Sequence, residues 1–145
     1  LLIILFELLY IGFFSTLHNT NVILVFCITF VLSRCLSGLC AINFKSAREG
    51  TLNTFSKNSS KVLVSVVVII ESLICIAGMG IINVFYATAV AIIALLTLLY
   101  YYLKTKKEFG GVTGDTAGYF LMILERNTLI AIAISCTVLR LIVKQ

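Results

Sequence analysis

Residues 62–79 and 82–103 are two long apolar runs, and GMGIIN at 78–83 is the only punctuation between them. An apolar stretch of about 18 residues or more is long enough to cross a bilayer. Residues 1–17 and 22–42 form two more such runs, and 117–143 a longer one. Lipid offers no hydrogen bonds to bare backbone, so a spanning chain must be helical or a closed barrel. The runs lack the ten-residue alternation of a barrel, which leaves helices. The expected fold is all-α: a single polytopic membrane domain, a helical bundle of about five transmembrane helices, the third and fourth joined as a close hairpin. Composition agrees, with 61% hydrophobic residues, 12% charged, no proline and no tryptophan, and a mean hydropathy of +1.13. No soluble domain of 145 residues has that balance. Leu1 stands inside an apolar run without a basic leader, so the chain reads as part of a longer protein.

Lysine and arginine set the expected orientation. Lys45, Arg48, Lys57 and Lys61 mark one loop, Lys104, Lys106 and Lys107 another, and the two opposite loops carry none. Only Arg140 and Lys144 fall on the far side, which places both longer loops in the cytoplasm. The net charge of +5 is therefore mainly a topology signal. No basic patch with interleaved aromatics exists to suggest nucleic acid. Tyr100, Tyr101 and Tyr102, just before the lysines, read as an interfacial anchor.

Between the fourth and fifth runs the chain reads GGVTGD, residues 110–115. A glycine-rich turn entering a helix presents free backbone N–H groups and the positive end of the helix dipole, which suits an anion. Asp115 would repel a phosphate unless a hard cation lay between them, and Mg²⁺ is commonly held by one or two carboxylates plus phosphates. Equally, Asp115 has the residue type of a helix N-cap. The P-loop lysine is missing. On the following helix Asp115, Gly118, Met122 and Glu125 share a broad face. Gly114 and Gly118 have the spacing that lets helices approach closely.

Charged residues inside spans usually face a bundle interior or a wet cavity. Arg34, Glu71, Glu125 and Arg126 are such residues. Arg34, with small residues Ser37, Gly38 and Ala41 near its face, could grip a phosphate or pair with Glu71, Glu125 or the interface. Glu71 is the first candidate partner. The five cysteines form no C-x-x-C pair and read as packing residues. His18 has no ligand-type neighbour.

Taken together, SR at 33–34, AREGTLNTF at 47–55 and KKEFGGVTGDTAG at 106–118 resemble the cobalamin-5'-phosphate synthase family, the adenosylcobinamide-GDP ribazoletransferases. The likeness covers about the C-terminal three-fifths of such a protein; the family's aspartate-rich DG-x-x-D-x-x-DG motif is not in this chain. The resemblance implies a multi-pass enzyme of a prokaryotic cell membrane. Its substrates would be GDP-cobinamide and α-ribazole or its 5'-phosphate, with release of GMP and a requirement for Mg²⁺. Carried onto this chain, it implies Asp115 and Glu125 as catalytic residues, with Asp115 the metal ligand. Arg34, Arg48, Gly110, Gly111, Thr113 and Gly114 would bind substrate. A homo-oligomer is left open, and 145 residues alone are expected to be inactive. The alternative is a non-catalytic membrane subunit or transporter module, in which the intramembrane charges line a path or meet a partner helix. The glycine-rich break lies at the edge of the membrane rather than its middle, which favours the enzyme.

Overall fold

The computed structural model describes residues 8, 11–12, 19–44 and 60–143. Four long helices make up most of them: α1, Thr20–Asn43; α2, Lys61–Ile82; α3, Val84–Lys104; and α4, Gly114–Val143. A π-helical turn, Thr105–Phe109, extends α3. All four are long and apolar enough to cross a membrane. Of the expected first span, 1–17, only Leu8, Ile11 and Gly12 are described, as helical residues. The rest of that span and the basic loop 45–59 lie outside the described residues.

The helices form a ring. α1 packs against α2 and α4, and α3 against the same two. Apolar side chains from the facing stripes close the interior: Val25, Phe26 and Leu32 of α1, Val90 and Ala94 of α3, and Phe120, Leu124 and Ile132 of α4. Between helices in lipid, close contact rather than water exclusion supplies the attraction. α2 adds little to this core, since only Ser72 and Met79 of its residues are buried. Its long runs of valine, leucine and isoleucine face outward.

The hairpin between the third and fourth expected spans is present and tighter than the spacing predicts. Helix α2 runs straight through Gly78 and Gly80 to Ile82, so the two glycines are not the break. Asn83 is. Its extended backbone (φ −166°) ends α2, and its side-chain oxygen accepts from the Phe85 N–H at 2.8 Å, which caps α3. Asn19 does the same for α1, accepting from the Asn21 N–H at 3.1 Å.

At the other end α3 continues further than expected. The Thr105 hydroxyl donates to the Tyr101 carbonyl at 2.8 Å, and the π-turn takes up Thr105–Phe109 of the stretch read as a loop. Gly110 (φ 65°) and Gly111 (φ 155°) then turn the chain back, a conformation that glycine adopts without strain. The tyrosine triplet is not a uniform anchor: Tyr100 and Tyr102 are exposed, whereas Tyr101 is buried.

Candidate functional site

The C-terminal ends of α1 and α3 meet the start of α4 at one end of the ring. Aromatic contacts hold them: Phe44 lies 6.3 Å from Tyr101 and 5.1 Å from Tyr102 between ring centroids, and Tyr101 packs on Phe120 at 4.7 Å. A recess of about 260 Å³ opens here, lined by Asn43, Phe44, Tyr102, Thr105, Lys106 and the two glycines, Gly110 and Gly111. Asn43 is fixed by donating to the Leu39 carbonyl (3.0 Å) and the Ser65 hydroxyl (2.9 Å), which ties the start of α2 to the same end. Lys106 rests over the Tyr102 ring at 6.0 Å.

The start of α4 decides what Asp115 is. Thr113 and Thr116 cap the helix reciprocally: the Thr113 N–H donates to Thr116 Oγ1 at 2.8 Å, and the Thr116 N–H to Thr113 Oγ1 at 3.2 Å. This is the arrangement of a capping box. The buried Tyr101 hydroxyl donates to Thr116 Oγ1 at 3.3 Å, so α3 positions the cap. The N-cap is therefore Thr113, one residue before the helix, and the capping reading of Asp115 does not hold. Asp115 sits in the first turn, exposed, with no hydrogen bond or ion pair among the described residues. The N–H groups of Gly114 and Asp115 are likewise unpartnered among them. The close-packing reading of Gly114 and Gly118 also fails there, because nothing lies within 4 Å of a Cβ built at either.

Glu125 belongs to a second cluster. Its Oε1 accepts from the Ser33 hydroxyl at 3.0 Å and lies 3.4 Å from Arg34 Nη2, with the arginine side chain 61% exposed and the glutamate 15%. Arg34 thus pairs with Glu125 and not with Glu71. Glu71 shares with Arg34 an open groove of about 490 Å³ between α1 and α2, and it accepts from the Cys35 thiol at 3.6 Å. All five cysteines are free.

Ten residues of helix separate Asp115 from Glu125, about 15 Å along the α4 axis. The two carboxylates therefore do not share a site. Gly110 and Gly111 line the recess, and Thr113, Gly114 and Asp115 follow them in sequence at the start of α4; Arg34 and Glu125 meet further along α1 and α4; Arg48 lies outside the described residues. No group of three or more His, Cys, Asp or Glu converges among the described residues. Asp115 offers a single oxygen-donor side chain, a donor set that fits Mg²⁺ when phosphates and waters supply the other ligands. The residues that sequence reasoning missed are Tyr101, Thr116 and Asn43. The T-x-x-T spacing of 113–116 resembles a capping signature, but nothing local shows which of three consecutive tyrosines turns inward.

A family model described as cobalamin-5-phosphate synthase matches residues 1–133. An adenosylcobinamide-GDP ribazoletransferase of Lachnoclostridium phytofermentans is 36% identical over 131 residues, covering 88% of this chain and 49% of the relative. One of the same name from Clostridium perfringens is 25% identical over 127 residues, covering 85% and 49%. The chain thus spans about half the length of the curated relatives it matches. No solved structure matches it.

Proposed function

The chain belongs to the cobalamin-5-phosphate synthase family and is a multi-pass membrane protein, and from that premise we propose that it forms part of an adenosylcobinamide-GDP ribazoletransferase. In the proposed reaction a hydroxyl oxygen of α-ribazole, or of its 5'-phosphate, attacks the cobinamide-side phosphorus of GDP-cobinamide. The diphosphate P–O bond breaks, GMP leaves, and the hydroxyl gives up its proton.

The observation that carries this reading is Asp115, an exposed carboxylate in the first turn of α4 with no protein partner among the described residues. It stands next to two unpartnered N–H groups and the glycine turn. The helix start attracts the diphosphate through its dipole and free donors, and the positive-φ glycines let backbone approach it. Lys106, on the recess wall, adds positive charge. When bound, Mg²⁺ would neutralise charge developing on the phosphoryl oxygens, and Asp115 is the residue proposed to hold it. Arg34 and Glu125 lie too deep to join that carboxylate. The Arg34 guanidinium, only partly used by Glu125, faces the open groove and is a second anion contact. Both longer loops are proposed to face the cytoplasm, which puts the recess where soluble nucleotide is available.

The test adds the length of the relatives that this chain does not span. Joined to the segment of the L. phytofermentans relative that lies outside the match, the chain is expected to release GMP from GDP-cobinamide with α-ribazole and Mg²⁺. The 145-residue chain alone is expected not to. A silent fusion, beside an intact relative that turns over in parallel, would sink the proposal; turnover by the chain alone would mean that its own carboxylates suffice.

A further inference from the structure

Helix α4 has a second polar side that the proposed reaction does not use. Arg126 follows Glu125 directly, and neighbours on a helix point about 100° apart, so it turns away from Arg34. It lies instead on an outer groove between α3 and α4, about 560 Å³, whose walls include Ile93, Leu96, Tyr100, Tyr119 and Ile123. That size falls within the roughly 300–1,000 Å³ of small-ligand sites. Arg126 has poor company there: among the described residues its Nε and Nη2 reach only the Asn127 side-chain oxygen, at 3.4 Å and 3.3 Å. Asn127 in turn is tied to α3 by donating to Thr97 Oγ1 at 3.2 Å. No carboxylate pairs with Arg126 among the described residues, and an arginine in the middle of a span is costly in lipid unless something accepts its charge.

A second cation closes the loop-side end of the groove. Lys104 Nζ donates to the Tyr100 hydroxyl and to the Tyr119 hydroxyl, at 3.1 Å in both cases. A tyrosine that accepts from lysine keeps its own O–H to donate. The two hydroxyls are 3.5 Å apart, so at least one proton points elsewhere. Glu108, 4.0 Å from Lys104, is more than half exposed, and no carboxylate lines the groove itself among the described residues. Arg126 is two turns below Tyr119, and its Cα–Cβ bond tilts toward the α4 N-terminus, the end that Lys104 occupies.

We propose that this groove holds one anionic phospholipid of the surrounding bilayer, its phosphate at Lys104, Tyr100 and Tyr119, with Arg126 reaching up to it, and an acyl chain along Leu96 and Ile123. A cationic pocket between membrane helices, above an apolar trench, matches an acidic headgroup and its tail together. A second copy of the chain fits worse. Two-fold packing on this face would bring the two Arg126 side chains toward each other in lipid.

Native mass spectrometry of the detergent-purified chain, titrated with phosphatidylglycerol or phosphatidylcholine, tests this. Near-surface cations contribute about 1 kcal/mol each, so with two of them the wild type should retain phosphatidylglycerol at roughly 30-fold lower concentration than phosphatidylcholine. Lys104→Gln and Arg126→Gln should each remove about 5-fold of that preference. Lys104→Arg should keep it, and so should Lys61→Gln on the far side of the ring. Leu96→Trp, which fills the trench without changing charge, should weaken both lipids alike and guards against a charge variant that does not fold. Equal retention of the two lipids by the wild type overturns the proposal, as does an undiminished preference in the Lys104→Gln/Arg126→Gln protein. Displacement by inorganic phosphate regardless of the lipid's chains would reveal a bare phosphate site, and lipid-free dimers that Arg126→Gln strengthens would reveal a helix interface; both overturn it as well.

Discussion

Asp115 shows how little a residue's type says about its role until its neighbours are placed. The residue type admitted two readings, cap or ligand, and the reciprocal Thr113–Thr116 bonds take the first away. The consequence is a separation of effects. Thr113→Ala should lower stability by roughly 0.5–2 kcal/mol, the usual loss for a removed N-cap, read as an earlier thermal unfolding transition. Asp115→Asn should leave that transition in place. In the fusion described above it should raise the Mg²⁺ needed for half-maximal GMP release or abolish turnover, because an amide oxygen is a weaker ligand for a hard cation than a carboxylate. An Asp115→Asn protein with unchanged Mg²⁺ dependence would leave the carboxylate with no role in metal binding. Arg34 is a similar case, since several carboxylates were available to it by type and only the crossing of α1 with α4 selects Glu125.

Among the elements, the α2–α3 hairpin turns on the last residue of the GMGIIN stretch, Asn83, and not on its glycines. Glycine and asparagine both interrupt helices, but Asn83 can do what glycine cannot, satisfying an orphan N–H with its side chain while its backbone extends. The glycines are tolerated passengers in α2. A Cβ at Gly78 meets nothing within 4 Å, and one at Gly80 meets only the Ala87 Cβ at 4.0 Å, an ordinary contact. Gly78→Ala and Gly80→Ala should therefore each stabilise the protein, by about 0.5–1 kcal/mol from the entropy that glycine loses on folding. Asn83→Ala should destabilise it. Comparison of the three variants by thermal unfolding in one detergent checks this, and a loss of stability in Gly80→Ala would mean that the hairpin is closer there than described.

For the whole molecule, the ring places Asn43, Lys61, Lys106 and Gly110 at one end, and Asn19 and Asn83 at the other. With lysine and arginine gathered at the first end, a cysteine introduced at Lys106 in a cysteine-free background should react with a membrane-impermeant maleimide applied from the cytoplasmic side. One introduced at Asn19 should not. The reverse pattern would invert the molecule and take the recess away from cytoplasmic nucleotide. The outward faces differ in kind: most of α2 is bare hydrocarbon, whereas Arg34 and Glu71 on the α1–α2 groove and Arg126 on the α3–α4 groove put charge where lipid alone would be a poor neighbour.

Apolar run length and the absence of internal breakers were enough to specify a helical membrane protein and to place four of its spans within a few residues, because a bilayer constrains each segment independently of the others. The GGVTGD stretch was also legible as the entry to α4, since glycine turns and helix starts are local chemistry. Partnership was not. Whether Asp115 caps, which tyrosine of three turns inward, and whether Glu125 shares a site with Asp115 all depend on how helices distant in sequence are set against one another. In lipid that choice rests on side-chain packing and a few polar contacts rather than on hydrophobic periodicity, which is nearly uniform around helices as apolar as these.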